Sequence, residues 1–190
     1  MTKSKLVSVL REVFVRLDPH LTSSLCLVGT SSAILQGVPL PAHDIDLLAK
    51  NRTAVDNFAT AMAGFPVLAS PRLLEGCGQY FASFHVDGIH VEVSTVEFVT
   101  ESDFKEVTGQ GPWMHQCSFD LGEAAVPVVA LELRLATELI RNRADRYLPL
   151  IQHFKQTGET PLLIDVLKTE GLDSRYRELD GQPGQSSFRP

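Results

Sequence analysis

The chain has 190 residues, 44% of them apolar, with 23 acidic against 17 basic side chains and a formal charge of −6. That length can bury the core of one domain with a small helical appendage, while the charge excludes a global attraction to nucleic acid, so an RNA partner would need a local basic patch. There is no membrane-length apolar run and no leader-like opening, which makes the cytoplasm the expected compartment, and the three scattered cysteines, Cys26, Cys77 and Cys117, form no disulfide framework.

In chain order, Leu6, Leu10, Val13, Phe14 and Leu17 recur at helical spacing, predicting an amphipathic helix over 3–17 that Asp18-Pro19 ends. Residues 25–28 read as a short buried strand, and Gly29 turns the backbone into a helix from about Ser31 to Gln36. Gly37, Pro39 and Pro41 form a loop before a strand at 45–49. Thr53 followed by Asp56 resembles a capping box for a helix that reaches about Met62 and stops at Gly64. Residues 80–86 and 89–93 read as two strands joined by the Asp87-Gly88 hairpin turn, with one or two further strands within 118–129.

From Leu131 onward the apolar period becomes helical: Leu131, Leu135 and Leu139, then Leu148, Ile151 and Phe154, then Leu162, Leu163, Val166 and Leu167 predict three helices. Thr160-Pro161 starts the last of them. The expected organisation is an α+β body over 1–130, a helical portion over 131–180, and a Gly-, Pro-, Ser- and Gln-rich tail over 181–190 that reads as disordered.

The chemistry concentrates in residues 25–50. A strand has a side-chain period of two, so Asp44 and Asp46 share one face while Ile45 and Leu47 take the other. Two adjacent carboxylates among apolar neighbours are costly without a cation, and hard oxygen ligands suit Mg2+. By the same period, His90 and Glu92 share one face of their strand, and Val91 and Val93 the other.

Val28-Gly29-Thr30-Ser31, then His43-Asp44-Ile45-Asp46-Leu47-Leu48, then Val91-Glu92-Val93, resemble the nucleotidyltransferase superfamily, whose fold is like that of DNA polymerase β. That superfamily carries an apolar-Gly-Gly/Ser turn, an Asp-apolar-Asp strand and a third carboxylate on a neighbouring strand. Small size and trailing helices are similar to the AbiEii-type toxin nucleotidyltransferases of toxin–antitoxin systems and to small antibiotic-modifying members. The resemblance covers about residues 25–93 and implies a mixed sheet flanked by helices, with Asp44, Asp46 and Glu92 as catalytic metal ligands for Mg2+ or Mn2+. Gly29, Thr30 and Ser31 would hold the triphosphate of an NTP, ATP among them, at a helix N-terminus. A hydroxyl acceptor on tRNA, another RNA or a protein would take the nucleoside monophosphate if the chain is a toxin with a cognate antitoxin. A small-molecule antibiotic would take it in a resistance enzyme.

The sequence also departs from that pattern. Thr30 replaces the usual Gly or Ser, the Asp pair is preceded only by His43, and Glu138 falls near an expected Lys. Arg143-Ala144-Asp145-Arg146 echoes the Arg-x-Lys-Asp run only loosely. These departures motivate a second reading, a nucleotide- or partner-binding module without catalysis on the same fold.

Each motif taken alone also has a plainer reading. The acid pair describes a solvated strand end, and Gly29-Thr30-Ser31-Ser32 a strand-to-helix turn with a Ser cap. Arg141, Arg143 and Arg146 describe a solvated helix face; together with Arg134 they are also the candidate basic patch. Cys77, His85, His90, His115 and Cys117 match no closed zinc spacing, and Trp113 reads as a loop anchor.

Overall fold

In the computed structural model the described residues are 1–76, 78–96 and 112–181. Helix α1 (Lys3–Phe14) is capped by Thr2 and buries Leu6, Val9, Leu10, Val13 and Phe14. It ends three residues before the expected boundary because Asp18, with Pro19 at the first helical position, caps a separate short helix α2 (Pro19–Thr22). Strand β1 (Leu25–Val28) runs into α3 (Gly29–Leu35), and a loop leads to β2 (Asp44–Ala49). Helix α4 (Arg52–Ala61) is capped by Asn51, whose side chain accepts from the Ala54 amide, rather than by Thr53. Asn51 is the stronger cap and lies closer to the end of β2, so the helix starts before the predicted box.

The Asp87-Gly88 turn joins β4 (Gln79–Val86) to β5 (Ile89–Ser94), with both turn residues at positive φ, 47° and 81°, as a tight two-residue hairpin requires. Strands β6 (Gln116–Asp120) and β7 (Ala125–Val129) form a second hairpin, completing the expectation for 118–129. Besides α2, two elements went unanticipated. Strand β3 (Val67–Leu74) is an edge strand with two register irregularities and Pro71, so it lacks regular alternation. Helix α8 (Asp173–Gly181) is polar and buries only Tyr176, which leaves no apolar stripe to read. It follows α5 (Leu131–Ile140), α6 (Ala144–Thr157) and α7 (Pro161–Thr169), making four helices where three were expected.

The strands form a seven-stranded mixed sheet in the order β3-β4-β5-β2-β1-β7-β6. At its centre β2 pairs antiparallel with β1 and parallel with β5, and β1 pairs parallel with β7. The apolar face of β2 enters the core, where Ile45 and Leu47 are buried alongside Leu27, Val91 and Val93. On the same side Phe58 of α4 meets Phe84 of β4 edge to face, with ring centroids 5.9 Å apart. Helix α5 packs on α3 and on α6 and α7. Trp113 packs against the core under the Lys50 ammonium, 5.2 Å from its ring centre, as an anchor would. No helix among the described residues is long and apolar enough to cross a membrane.

Candidate active site

The centre of the sheet gathers the acidic residues. Asp46 is in register with Val28 on β1 and with Glu92 on β5, and Asp44 with His90. Residues paired across adjacent strands project to one face about 4.8 Å apart, so Asp46 and Glu92 are immediate neighbours, with Asp44 and His90 two positions along. Both aspartates are half-buried, while the intervening Ile45 is fully buried on the other face. Sequence period and observed orientation therefore agree.

Gly29 stands against this face at the end of β1. Its φ is +64°, and a Cβ there would lie 2.2 Å from Asp46 Oδ2, so both conformation and space demand glycine. The chain passes directly into α3, whose first turn has no side-chain cap. Thr30 and Ser31 are buried. The Ser31 hydroxyl donates to the Asp44 carbonyl at 2.5 Å, and the Ser32 hydroxyl to the Gly29 carbonyl at 2.7 Å. Ser31 thus ties α3 to the start of the acidic strand with its side chain, which commits its hydroxyl hydrogen there rather than to an anion.

The electrostatics favour a cation. Burial, reinforced by the Asp44 charge, pushes the Glu92 carboxyl above the usual glutamate range, and His90 partly opposes this. His90 Nε2 is 3.3 Å from Glu92 Oε1 without hydrogen-bond geometry, and the ring nitrogen is itself buried. As the side chains stand, no three His, Cys, Asp or Glu groups among the described residues converge tightly enough to hold a metal ion. The donor chemistry nevertheless suits a hard divalent cation: three carboxylates share one sheet face, and burial together with the Asp44 charge holds Glu92 against ionisation. That finding also bears on the zinc pattern: His85, His90, His115 and Cys117 form no such group, and Cys77 lies outside the described residues.

The helical portion carries a feature that motif reading missed. Glu138 is fully buried on α5 and accepts from the equally buried Arg134 one turn earlier, while Arg146 Nη1 from α6 lies 3.6 Å from the same carboxylate. The visible signal was an i,i+4 Arg-Glu pair inside an otherwise apolar helix, a pairing that needs mutual neutralisation to be buried. Arg146 is also within the electrostatic reach of Asp46, which favours its charge, although burial and the charges of Arg143 and Arg134 depress its pKa on balance. Arg143 is partly exposed and pairs with Asp145 at the surface, and Arg141 is the exposed C-terminal cap of α5, so the solvated reading describes both.

Removing one partner of the buried pair leaves an uncompensated charge. Glu138→Leu alone is expected to cost about 3–5 kcal/mol in denaturant unfolding, and the double variant Arg134→Met/Glu138→Leu to recover most of that loss.

No protein-family model matches the sequence, and no match to a curated protein reaches significance. Among solved structures, a Thermotoga maritima protein provisionally called a nucleotidyltransferase aligns with a TM-score of 0.56 at 20% identity, over 82% of this chain and 96% of its own. Two Helicobacter pylori structures align more loosely. JHP933 has a TM-score of 0.47 at 14% identity over 97% of this chain and 84% of its own. A second protein, also provisionally called a nucleotidyltransferase, has a TM-score of 0.42 at 10% identity over 93% and 90%. The alignment to the Thermotoga maritima structure spans nearly all of that protein and most of this one, and with the mixed sheet and trailing helices described above it gives this chain a nucleotidyltransferase-like fold.

Proposed function

We propose that the chain is a metal-dependent nucleotidyltransferase that moves a nucleoside monophosphate from an NTP to a hydroxyl acceptor. One observation carries the reading: the β2–β5 register sets Glu92 beside Asp46, while the Gly29 backbone closes on Asp46 from the other side. Asp44, Asp46 and Glu92 would hold Mg2+ or Mn2+, which supplies Lewis-acid polarisation of the phosphate and of the acceptor oxygen. The acceptor oxygen forms a bond to the α-phosphorus in line as the bond to the bridging oxygen breaks, and pyrophosphate leaves. Glu92, in register beside Asp46, would either ligate the ion that lowers the pKa of the acceptor hydroxyl or itself take the hydroxyl proton. The amides of Gly29, Thr30 and Ser31 face the phosphates from the uncapped first turn of α3. Positioning and charge neutralisation, rather than a covalent nucleophile, supply the rate.

Incubation with Mg2+ and NTPs labelled at either the α- or the γ-phosphate, in pools of tRNA, total protein or aminoglycoside, tests this reading. Transfer of the α-label alone supports it and identifies the acceptor class, including the protein or RNA target expected of a toxin. Binding of nucleotide with no transfer to any pool would favour the non-catalytic module, which the buried Glu138 at the expected lysine position also suits.

The shifted carboxylate gives a pH signature. Folding raises the Glu92 pKa, so the folded chain holds this proton more tightly than the unfolded one. Ionising Glu92 therefore costs stability, a cost absent below the unfolded pKa and fully present once pH has risen through the folded value. Without divalent cations, Glu92→Gln is expected to melt higher than wild type at neutral pH, and the difference to vanish in acid below the ordinary glutamate range. Thermal unfolding across pH reads the effect. A variant no more stable than wild type at neutral pH would contradict it.

A further inference from the structure

We infer that His90 is the fourth corner of the acid site: its Nε2 ligates the divalent cation beside Glu92 and turns the site's preference from Mg2+ toward a transition metal such as Mn2+. This role rests on the functional reading above and adds to it a ligand and a choice of metal.

The register makes the four side chains a block. Asp44 pairs with His90 and Asp46 with Glu92, so two neighbouring strands present two residues each to the same face. With strands about 4.8 Å apart and same-face residues about 6.7 Å apart along each, no other side chain stands between the four corners. Three of them are carboxylates and the fourth is an imidazole.

Within the block one pair of donors already stands together. His90 Nε2 lies 3.3 Å from Glu92 Oε1. The imidazole as a whole is 40% exposed, yet Nε2 is the end turned inward, shielded from solvent and without a hydrogen-bond partner. Buried polar atoms rarely stay unpaired. A proton shared with Glu92 needs hydrogen-bond alignment, which this pair lacks, whereas a shared cation needs only that a lone pair of each atom reach it. Two donors each about 2.1 Å from one cation lie about 3.0 Å apart at neighbouring octahedral positions and about 3.4 Å apart at tetrahedral ones. The observed 3.3 Å falls between these values.

The choice of metal follows from donor type. Mg2+ takes oxygen ligands and gives up its waters reluctantly, whereas imidazole nitrogen suits the transition metals. One nitrogen corner in a site otherwise made of carboxylates therefore lowers the relative affinity for Mg2+.

Calorimetric titration of the untagged full chain with MnCl2 and with MgCl2, joined to pulsed electron paramagnetic resonance of the bound Mn2+, tests both halves. Wild type is expected to bind Mn2+ about tenfold more tightly than Mg2+ and to show nitrogen hyperfine coupling. His90→Gln offers an oxygen in place of the nitrogen. It is expected to lose the coupling and to bind Mn2+ about tenfold more weakly, with its Mg2+ affinity held within about twofold. An unchanged ratio of the two affinities in this variant would overturn the metal preference. If Mn2+ binds through Asp46, shown by its loss in Asp46→Asn, but shows no nitrogen coupling or keeps it in His90→Gln, then His90 is no ligand and the functional reading stands. If wild type binds neither ion, or Asp46→Asn binds Mn2+ as tightly as wild type, the functional reading fails and the role of His90 falls with it.

Discussion

Asp46→Asn is expected to lower nucleotidyl transfer by about a thousandfold while leaving the chain folded. Asparagine keeps the shape of the side chain and one acceptor oxygen but removes the charge a cation needs. Asp46 is the member of the acid cluster in register with both neighbours, Val28 on one side and Glu92 on the other, so no other carboxylate can take its place without moving a strand. Losing a charge from a cluster in which Asp44 already disfavours ionisation of Glu92 relieves repulsion. The unfolding midpoint without metal should hold steady or rise. Transfer assays paired with thermal melts separate this outcome from simple loss of structure, and an active Asp46→Asn enzyme would remove the acid cluster from the mechanism.

Gly29→Ala should be the second most damaging change, for a different reason. The added methyl would sit 2.2 Å from Asp46 Oδ2, so the carboxylate has to move, and a φ of +64° strains any residue but glycine. Asp46 must swing away or the β1–α3 turn must open. Backbone strain of this kind costs about 1–3 kcal/mol. Displacing a catalytic carboxylate by about an ångström costs on the order of a hundredfold in rate. Gly37→Ala makes a useful contrast: its φ is also positive, but nothing lies near the position of its Cβ. It should lose some stability and keep its activity. Equal activity losses in the two variants would indicate that the close approach of Gly29 to Asp46 has no part in the chemistry.

The parts of the site that local pattern governs were legible in the sequence. A strand period of two oriented Asp44 and Asp46 against Ile45 and Leu47, and the same period with the Asp87-Gly88 turn located Glu92 on the second strand of a hairpin. The pairing of β5 with β2 is a parallel contact between segments more than 40 residues apart, whose register depends on the whole sheet. Only the family resemblance suggested it beforehand. Asn51 was missed as a cap because Thr53 and Asp56 match the box motif, whereas the end of β2 decides where α4 can begin. Strand β3 and helix α8 escaped notice because one is an irregular edge and the other has a single buried side chain, Tyr176, so neither shows a periodic stripe. Arg134 and Glu138 were visible as a helical pair, but the packing of α5 against α3, α6 and α7 determines that they are buried. Arg146, which a charge-run reading would leave on a solvated face, is only partly exposed and lies 3.6 Å from the buried Glu138.

The most direct test of the account is transfer of an α-labelled NTP, in the presence of Mn2+, by wild type, Asp46→Asn and Glu92→Gln side by side. The account predicts label on an acceptor with wild type, and transfer reduced by about a thousandfold in both variants although they bind the nucleotide and remain folded. Equal transfer by all three proteins would contradict it, because chemistry would then proceed without the carboxylates that the central strands bring together.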